Sequence, residues 1–150
     1  MLIALGGLPA TGKTTLARLL SGLTRHPVGP VGYVVGYALA EEHLRGGLTV
    51  VAESVNPLAV TRDAWRDTAV RAGVPVLEVE VVCSDPGEHR RRVAERSVDI
   101  PELPFPGWEE VVGREYEPWH RPQFVLDTAG QEAEESLGLL LDAVLTAGRG

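Results

Sequence analysis

The residue with the most evident chemistry is Lys13, because the other thirteen of the 14 Lys and Arg side chains are all arginine. Lys13 completes G-x-x-x-x-G-K-[ST], the pattern of the Walker A phosphate loop. In such a loop, backbone N–H groups that lead into a helix surround phosphate oxygens, and a slim ammonium reaches between the β- and γ-phosphates. The hydroxyl of Thr14 is suited to ligate Mg²⁺. The candidate nucleotide-binding residues are Gly7, Leu8, Pro9, Ala10, Thr11, Gly12, Lys13, Thr14 and Thr15.

The residues on either side of this loop favour a nucleotide site over a simple tight turn. Residues 2–5 are an apolar run of strand length, and residues 14–20 place three leucines on one face of a helix. Strand, Gly-rich loop and helix in this order form the context that the motif requires. The sequence therefore predicts nucleotide binding at residues 7–15.

A second group of polar residues follows the apolar run 48–52, at the strand end where ligands bind in open parallel sheets. Glu53 is expected there as a buried acid of the Walker B type, which can hold Mg²⁺ or accept a proton from an attacking hydroxyl. Ser54 and Asn56 are suited to cap the following helix. We interpret Glu53 as catalytic and metal-binding, and leave Asn56 open between capping and function.

Arg92 and Arg96 are four residues apart, so a helix would carry both on one face. Two guanidinium groups that project from a helix end beside the Pro-rich stretch 101–106 can close on phosphates as the transferring group gains charge. The alternative is a solvated basic face paired with nearby glutamates. We interpret the pair as catalytic residues of a lid, and expect Arg90 and Arg91 at the surface.

Asp127 and Thr128 follow the last apolar run, residues 124–126. A short polar loop at this place can wrap an adenine ring and offer backbone groups to its edge. Either residue is also suited to begin the last helix, and the two roles are compatible. The four histidines show no ligand spacing, so a transition-metal site is not expected.

Composition limits the class of protein and its partners. With 150 residues, the chain is expected to form one domain, residues 1–150. A net charge of −7 disfavours duplex DNA or an anionic membrane as a partner. Cys83, as the only cysteine, fits a reducing cytoplasm. The phosphate loop begins so near the N-terminus that it leaves no room for a signal peptide, so a cytoplasmic location is expected. Oligomeric state is left open.

Apolar runs of strand length alternate with helical patterns along the whole chain. This alternation predicts an α/β fold with a mostly parallel sheet and helices on both faces. Asp85 as N-cap, Pro86 at N1 and Glu88 at N3, as in a capping box, mark the clearest helix start. Strands are expected at residues 2–5, 48–52, 76–82 and 124–126, and helices at 14–20, 31–45, 58–71, from 86, 108–117 and 132–145.

Taken together, these motifs resemble those of the small P-loop kinases, and more closely the group of zeta-toxin-like, polynucleotide-kinase-like and antibiotic phosphotransferase-like proteins. The resemblance implies a P-loop NTPase fold in three layers, Mg-ATP as donor, and γ-phosphoryl transfer to a small hydroxyl-bearing acceptor. The roles that it implies are phosphate and metal binding for Lys13 and Thr14, a lid for Arg92 and Arg96, and adenine contacts for Asp127 and Thr128.

The sequence departs from this family pattern after the first helix. Such kinases usually place a second strand there, followed by an Asp that acts as general base, whereas residues 21–30 hold no carboxylate and no strand pattern. The strand is either naturally absent, which leaves Glu53 as the candidate base, or lost from this chain, which predicts a stretched or poorly ordered path near residues 21–27. The alternative function is a nucleotide-binding or NTP-hydrolysing module with weak or no kinase activity.

Overall fold

The computed structural model describes residues 1–21, 30–96 and 106–148, and within them a single parallel sheet is surrounded by helices. The strands are β1 (Leu2–Gly6), β2 (Val50–Glu53), β3 (Val76–Val82) and β4 (Phe124–Asp127). The helices are α1 (Lys13–Ser21), α2 (Pro30–Arg45), α3 (Ala59–Arg71), α4 (Pro86–Ala94), α5 (Trp108–Val112) and α6 (Ala133–Ala147). The predicted α/β architecture is confirmed.

The four strands lie in the order β2-β1-β3-β4, and all three neighbouring pairs are parallel. Each parallel pair requires a crossover connection, so the helices cover both faces of the sheet. β1 is buried along its whole length, which explains its uninterrupted apolar sequence. The carboxyl ends of all four strands therefore meet at one edge of the sheet.

Two apolar clusters fill the space between the sheet and its helices. On one face, Ala40, Leu44 and Trp65 of α2 and α3 pack on the sheet. On the other face, Leu16 of α1 and Leu140 of α6 pack on the opposite sides of the same strands. Helix, sheet and helix form the three layers that the sequence predicts. Within the described ranges, no helix is long and apolar enough to cross a membrane.

Helix α5 is shorter than predicted, since it ends at Val112 rather than extending to residue 117. Gly113 forms its C-cap, and a Cβ at that position would lie 2.9 Å from the carbonyl oxygen of Glu109. The backbone of Glu117 instead donates a 2.8 Å hydrogen bond to the carbonyl of Pro57. Contacts with the start of α3 therefore hold this segment in a non-helical path.

The predicted start of α4 is correct, but the capping box is not formed. The Asp85 side chain accepts hydrogen bonds from the backbone N–H groups of Gly87 and Glu88, at 2.8 and 3.0 Å. The Glu88 carboxylate binds elsewhere, accepting from the Gly130 N–H and from Arg92. The missing strand after α1 and the stretched path expected from its loss concern mainly residues 22–29, which lie outside the described residues.

Candidate nucleotide site

The phosphate loop lies between the end of β1 and the start of α1, as its motif requires. Three of its residues have positive φ: Gly7 at 138°, Ala10 at 63° and Gly12 at 103°. A Cβ on Gly7 would lie 2.1 Å from the carbonyl oxygen of Val81, so only glycine fits there. Thr15 is exposed on the first turn of α1. The residues between β1 and α1 thus form a tight loop, partly in left-handed backbone conformation, at the carboxyl edge of the sheet.

Several carbonyl groups of this loop accept hydrogen bonds from surrounding side chains. Leu8 O accepts from the Thr11 hydroxyl at 3.0 Å, and Thr11 O lies 2.8 Å from the Thr128 hydroxyl. Pro9 O lies 2.6 Å from Nε2 of His89, on α4. Carbonyl groups that are bound in this way face the protein, so N–H groups can face an anion.

Lys13 is almost fully buried, with 6% of its surface exposed, and its Nζ donates to Leu8 O at 2.7 Å. Burial lowers the pKa of Lys13 to about 8, because the ammonium is removed from water. The negative charge of Glu53 acts in the opposite direction, and the positive charges of Arg96 and Arg114 lower the pKa further. A buried ammonium at this place is stabilised by an incoming phosphate.

Thr14 and Glu53 are joined directly, since the Thr14 hydroxyl donates to Oε1 of Glu53 at 2.6 Å. The prediction that Glu53 is buried is wrong: its side chain is exposed, because β2 is an edge strand and Glu53 is its last residue. Hydroxyl and carboxylate oxygens are ligands that suit Mg²⁺, which is usually held by one or two carboxylates together with substrate phosphates. The described residues contain no cluster of three His, Cys, Asp or Glu side chains that could hold a metal by themselves.

Asn56 and Ser54 do not cap α3. Leu58 occupies the N-cap position without a side-chain bond, and the N–H of Ala59 is bound by the carboxylate of Glu117 at 2.5 Å. Asn56 is buried with φ 48°, and its Oδ1 accepts from Ser54 at 2.7 Å and from the Trp65 indole at 3.2 Å. Its side chain therefore fixes the turn that follows β2 instead of beginning the helix.

Arg92 is held against the loop after β4. Its guanidinium donates to the hydroxyl and the carbonyl of Thr128, at 2.8 and 2.9 Å, and to the Glu88 carboxylate at 2.6 Å. Arg96 does not share a helix face with Arg92, because α4 ends at Ala94. Arg96 nevertheless lies within electrostatic reach of Lys13. The two arginines thus have separate surroundings, and of the two only Arg96 affects the pKa of Lys13 electrostatically.

Asp127 ends β4 and Thr128 leads into the turn that follows, so neither begins the last helix, whose N-cap is Glu132. Asp127 accepts from the backbone N–H groups of Ser84 and Ala129, both at 3.0 Å. A hydrogen bond from the Ser84 side chain, followed by these two backbone hydrogen bonds, holds the pKa of Asp127 below its usual range. Thr128 is buried beside the phosphate loop, so the turn and the loop are fixed to each other.

The residues that hold segment 114–121 in place beside the phosphate loop were not identified from the sequence. Arg62 is buried between the rings of Tyr116 and Trp119, with its guanidinium carbon 5.4 and 4.7 Å from the ring centroids. It also donates to the Glu117 carbonyl at 2.6 Å. This segment begins at Arg114, whose charge lowers the pKa of Lys13. The contacts join residues more than 50 positions apart, so no local pattern in the sequence indicates them.

Comparison with known proteins supports the architecture. No family model matches the sequence, and no curated protein matches it significantly. Among solved structures, Kti12 of Chaetomium thermophilum in complex with ADP-AlF3 is similar over 100% of both chains, with 22% identity and a TM-score of 0.65. A gluconokinase from Sinorhizobium meliloti 1021 is similar over 98% of this chain and 93% of its own, with 14% identity and a TM-score of 0.65. The fold is that of the small P-loop kinases.

The APS kinase among these structures agrees with that result. The Mycobacterium tuberculosis APS kinase CysC in complex with AMPPNP and APS is similar over 96% of both chains, with 18% identity and a TM-score of 0.58. At such identities the likeness concerns the P-loop kinase fold alone. The likeness therefore assigns no role to any residue of this chain.

Proposed function

We propose that this protein is an ATP-dependent phosphotransferase that moves the γ-phosphoryl group of Mg-ATP to a small hydroxyl-bearing acceptor. The observation that carries the proposal is the direct pairing of the phosphate-loop hydroxyl of Thr14 with the strand-end carboxylate of Glu53, beside the buried ammonium of Lys13. Nucleotides bound in similar folds support an adenine nucleotide as donor: Kti12 holds ADP-AlF3 and the APS kinase holds AMPPNP. The net charge of −7 favours a small molecule over nucleic acid or an anionic membrane as acceptor.

In this proposal the chain's own groups position charge around the transferring phosphoryl group. The phosphate loop N–H groups and Lys13 would bind the β- and γ-phosphates. Thr14 and Glu53 would hold Mg²⁺, which would supply positive charge to offset that of the phosphates. Arg96, whose charge acts on Lys13, adds positive charge near the transferring group. The acceptor oxygen forms a bond to the γ-phosphorus as the bond to the β–γ bridging oxygen breaks, leaving ADP. Glu53 is the candidate to take the acceptor's proton.

Asp127 and Thr128 are proposed to border the adenine, and Arg92 to hold their turn in place. Three hydrogen bonds from Arg92 to Thr128 and Glu88 support this role. Thr128 is buried, so its contribution would come through its position and its backbone. Arg92 thereby joins α4 to the turn that follows Asp127 and Thr128.

A screen of metabolite pools for ADP formation tests the proposed function against its alternatives. ADP that appears only when one metabolite is added supports a kinase. ADP that appears equally without any metabolite indicates an NTP-hydrolysing module. Tight ATP binding without turnover indicates a nucleotide-binding module, and either of these last two results rejects the kinase proposal.

The affinity for ATP is expected to depend on pH because of Lys13. Its pKa of about 8 means that the ammonium is charged below pH 8 and loses its proton above it. We therefore expect the affinity for ATP to be nearly constant up to about pH 7, about half as high at pH 8, and to decrease by up to about tenfold per pH unit above that. Calorimetric titration at several pH values measures this, and the weak residual affinity of Lys13→Met, used as control, should lack the dependence. A wild-type affinity that is constant through pH 9.5 would contradict the assignment.

Arg96→Ala is expected to lower kcat more than it lowers the affinity for ATP. The reason is that a charge directed at the transferring group acts mainly in the transition state, and such contacts affect kcat. We expect a loss of roughly 100-fold in kcat, similar to the loss of other transition-state charge donors. Arg91→Ala is the matched control, because Arg91 is exposed on α4 and forms only a long ion pair, 4.0 Å, with Glu88. Equal kcat values for the two variants would assign Arg96 to the solvated surface.

A further inference from the structure

His89 is a buried histidine whose side chain contacts the phosphate loop. It lies on α4 with 6% of its surface exposed, and its Nε2 is 2.6 Å from the carbonyl oxygen of Pro9. Its ring meets that of Trp108 on α5 edge-on, with centroids 5.3 Å apart. A carbonyl oxygen can only accept a hydrogen bond, so Nε2 carries the proton and donates it.

This hydrogen bond fixes the direction of a peptide group in the loop. The peptide between Pro9 and Ala10 is planar and trans, so its C=O and its N–H point in opposite directions. Because His89 holds the carbonyl of Pro9 towards α4, the N–H of Ala10 points away from α4. Rotation of this one peptide plane would exchange the two groups, placing a carbonyl oxygen where the N–H had been.

The backbone conformation of Ala10 favours that rotation. Its φ of 63° lies in the left-handed region, which a residue with a Cβ adopts only when its surroundings hold it there. Turning the Pro9–Ala10 peptide would bring φ of Ala10 back to negative values and remove the strain. A carbonyl oxygen turned towards a bound phosphate would repel it. The hydrogen bond from His89 opposes the rotation.

We propose that His89 is a positioning residue that keeps the Pro9–Ala10 peptide in the orientation required for binding the phosphates of ATP. The proposal rests on the proposed function of the phosphate loop as an ATP site. His89 acts through the loop backbone and not by contact with the reacting atoms.

A second connection from the same helix supports this role. Arg92, one turn after His89 on α4, binds Thr128, and the Thr128 hydroxyl lies 2.8 Å from the carbonyl of Thr11. Helix α4 is therefore linked to the loop carbonyls on both sides of Ala10, directly through His89 and indirectly through Thr128. The loop conformation and the position of α4 are consequently coupled.

Two substitutions separate the hydrogen bond from the packing of the ring. His89→Phe keeps an aromatic ring against Trp108 but removes the donor, whereas His89→Gln keeps an N–H donor and removes the ring. We expect the dissociation constant of ATP, measured by calorimetry, to increase about tenfold in His89→Phe and less than about threefold in His89→Gln, since the loss of one hydrogen bond to the loop is at stake. Equal losses in the two variants, or none, would overturn the proposal.

A glycine at position 10 provides the readout that a purely structural role would not change. Glycine has no left-handed strain, so His89→Phe combined with Ala10→Gly should recover at least about threefold of the lost affinity. Failure to recover any affinity, with both variants folded by circular dichroism, would contradict the proposed peptide rotation.

The carbonyl ¹³C chemical shift of Pro9 tests the same hydrogen bond without any nucleotide. It should move in His89→Phe and stay near the wild-type value in His89→Gln. A shift that is unchanged in both variants rejects the inference about His89 even if ATP does bind. A wild-type protein that binds no ATP, with the shift behaving as expected, rejects the proposed function alone.

Discussion

The Lys13→Met variant is expected to lose ATP binding and yet to melt at a higher temperature than the wild type. Binding should weaken by at least about 100-fold, since the ammonium is the side-chain cation proposed to bind the β- and γ-phosphates directly. Stability should increase because the pKa of Lys13 falls from 10.5 to about 8 in the folded protein, which disfavours the charged form there. That difference corresponds to roughly 3 kcal/mol at neutral pH.

The sign of this stability change gives a second check at high pH. The unfolded chain keeps the Lys13 proton up to its ordinary pKa, whereas the folded protein releases it from about pH 8, so the wild type regains stability between these values. The gain in melting temperature of Lys13→Met, roughly 5 °C or more at pH 7, should therefore shrink by pH 9.5. Arg45→Met, which replaces an exposed charge at the end of α2, is the control. A Lys13→Met variant that binds ATP normally would remove Lys13 from the site.

Glu53→Gln is expected to abolish most phosphoryl transfer while leaving metal-free ATP binding intact. The amide keeps the size of the side chain and can still accept from Thr14, but it neither attracts Mg²⁺ as a carboxylate does nor takes a proton. A loss of about 100-fold or more in kcat follows from either role. ADP formation with the acceptor, measured across a range of Mg²⁺ concentrations, gives both kcat and the metal requirement.

The metal dependence of Glu53→Gln assigns its role. A variant whose residual activity requires far more Mg²⁺ has lost a metal-holding group, whereas one with an unchanged Mg²⁺ requirement has lost a proton acceptor. Glu134→Gln, which alters an exposed carboxylate in the first turn of α6, is the matched control and should retain full activity. Full phosphoryl transfer by Glu53→Gln would exclude Glu53 from catalysis.

The sequence predicts the sheet and the phosphate loop because both depend on local patterns. β3 has the predicted bounds Val76–Val82, because five of its seven residues are Val or Leu, which suit a strand in a parallel sheet. The loop is equally local: its glycines are needed for positive φ, and strand and helix flank it directly. The start of α4 follows from the N-cap Asp85 in the same way.

Features that depend on distant contacts could not be predicted. The helical pattern after Trp108 suggests a longer α5, but Glu117 binds the start of α3 across 58 positions and the helix stops at Val112. Arg92 and Arg96 have helical spacing in the sequence, yet α4 ends between them. His89 lies among charged residues and resembles a surface position, because the carbonyl that it binds belongs to a loop 80 residues earlier.

The fate of the γ-phosphate of ATP tests the central claim most directly. The protein would be incubated with Mg-ATP and the metabolite found by the screen, and the phosphorus products would be followed by ³¹P NMR. The proposed function predicts a new phosphomonoester signal whose amount equals the ADP formed, without matching release of inorganic phosphate. The signal should be absent in Lys13→Met. Formation of inorganic phosphate in place of a phosphomonoester, or no consumption of ATP with any acceptor, would contradict it.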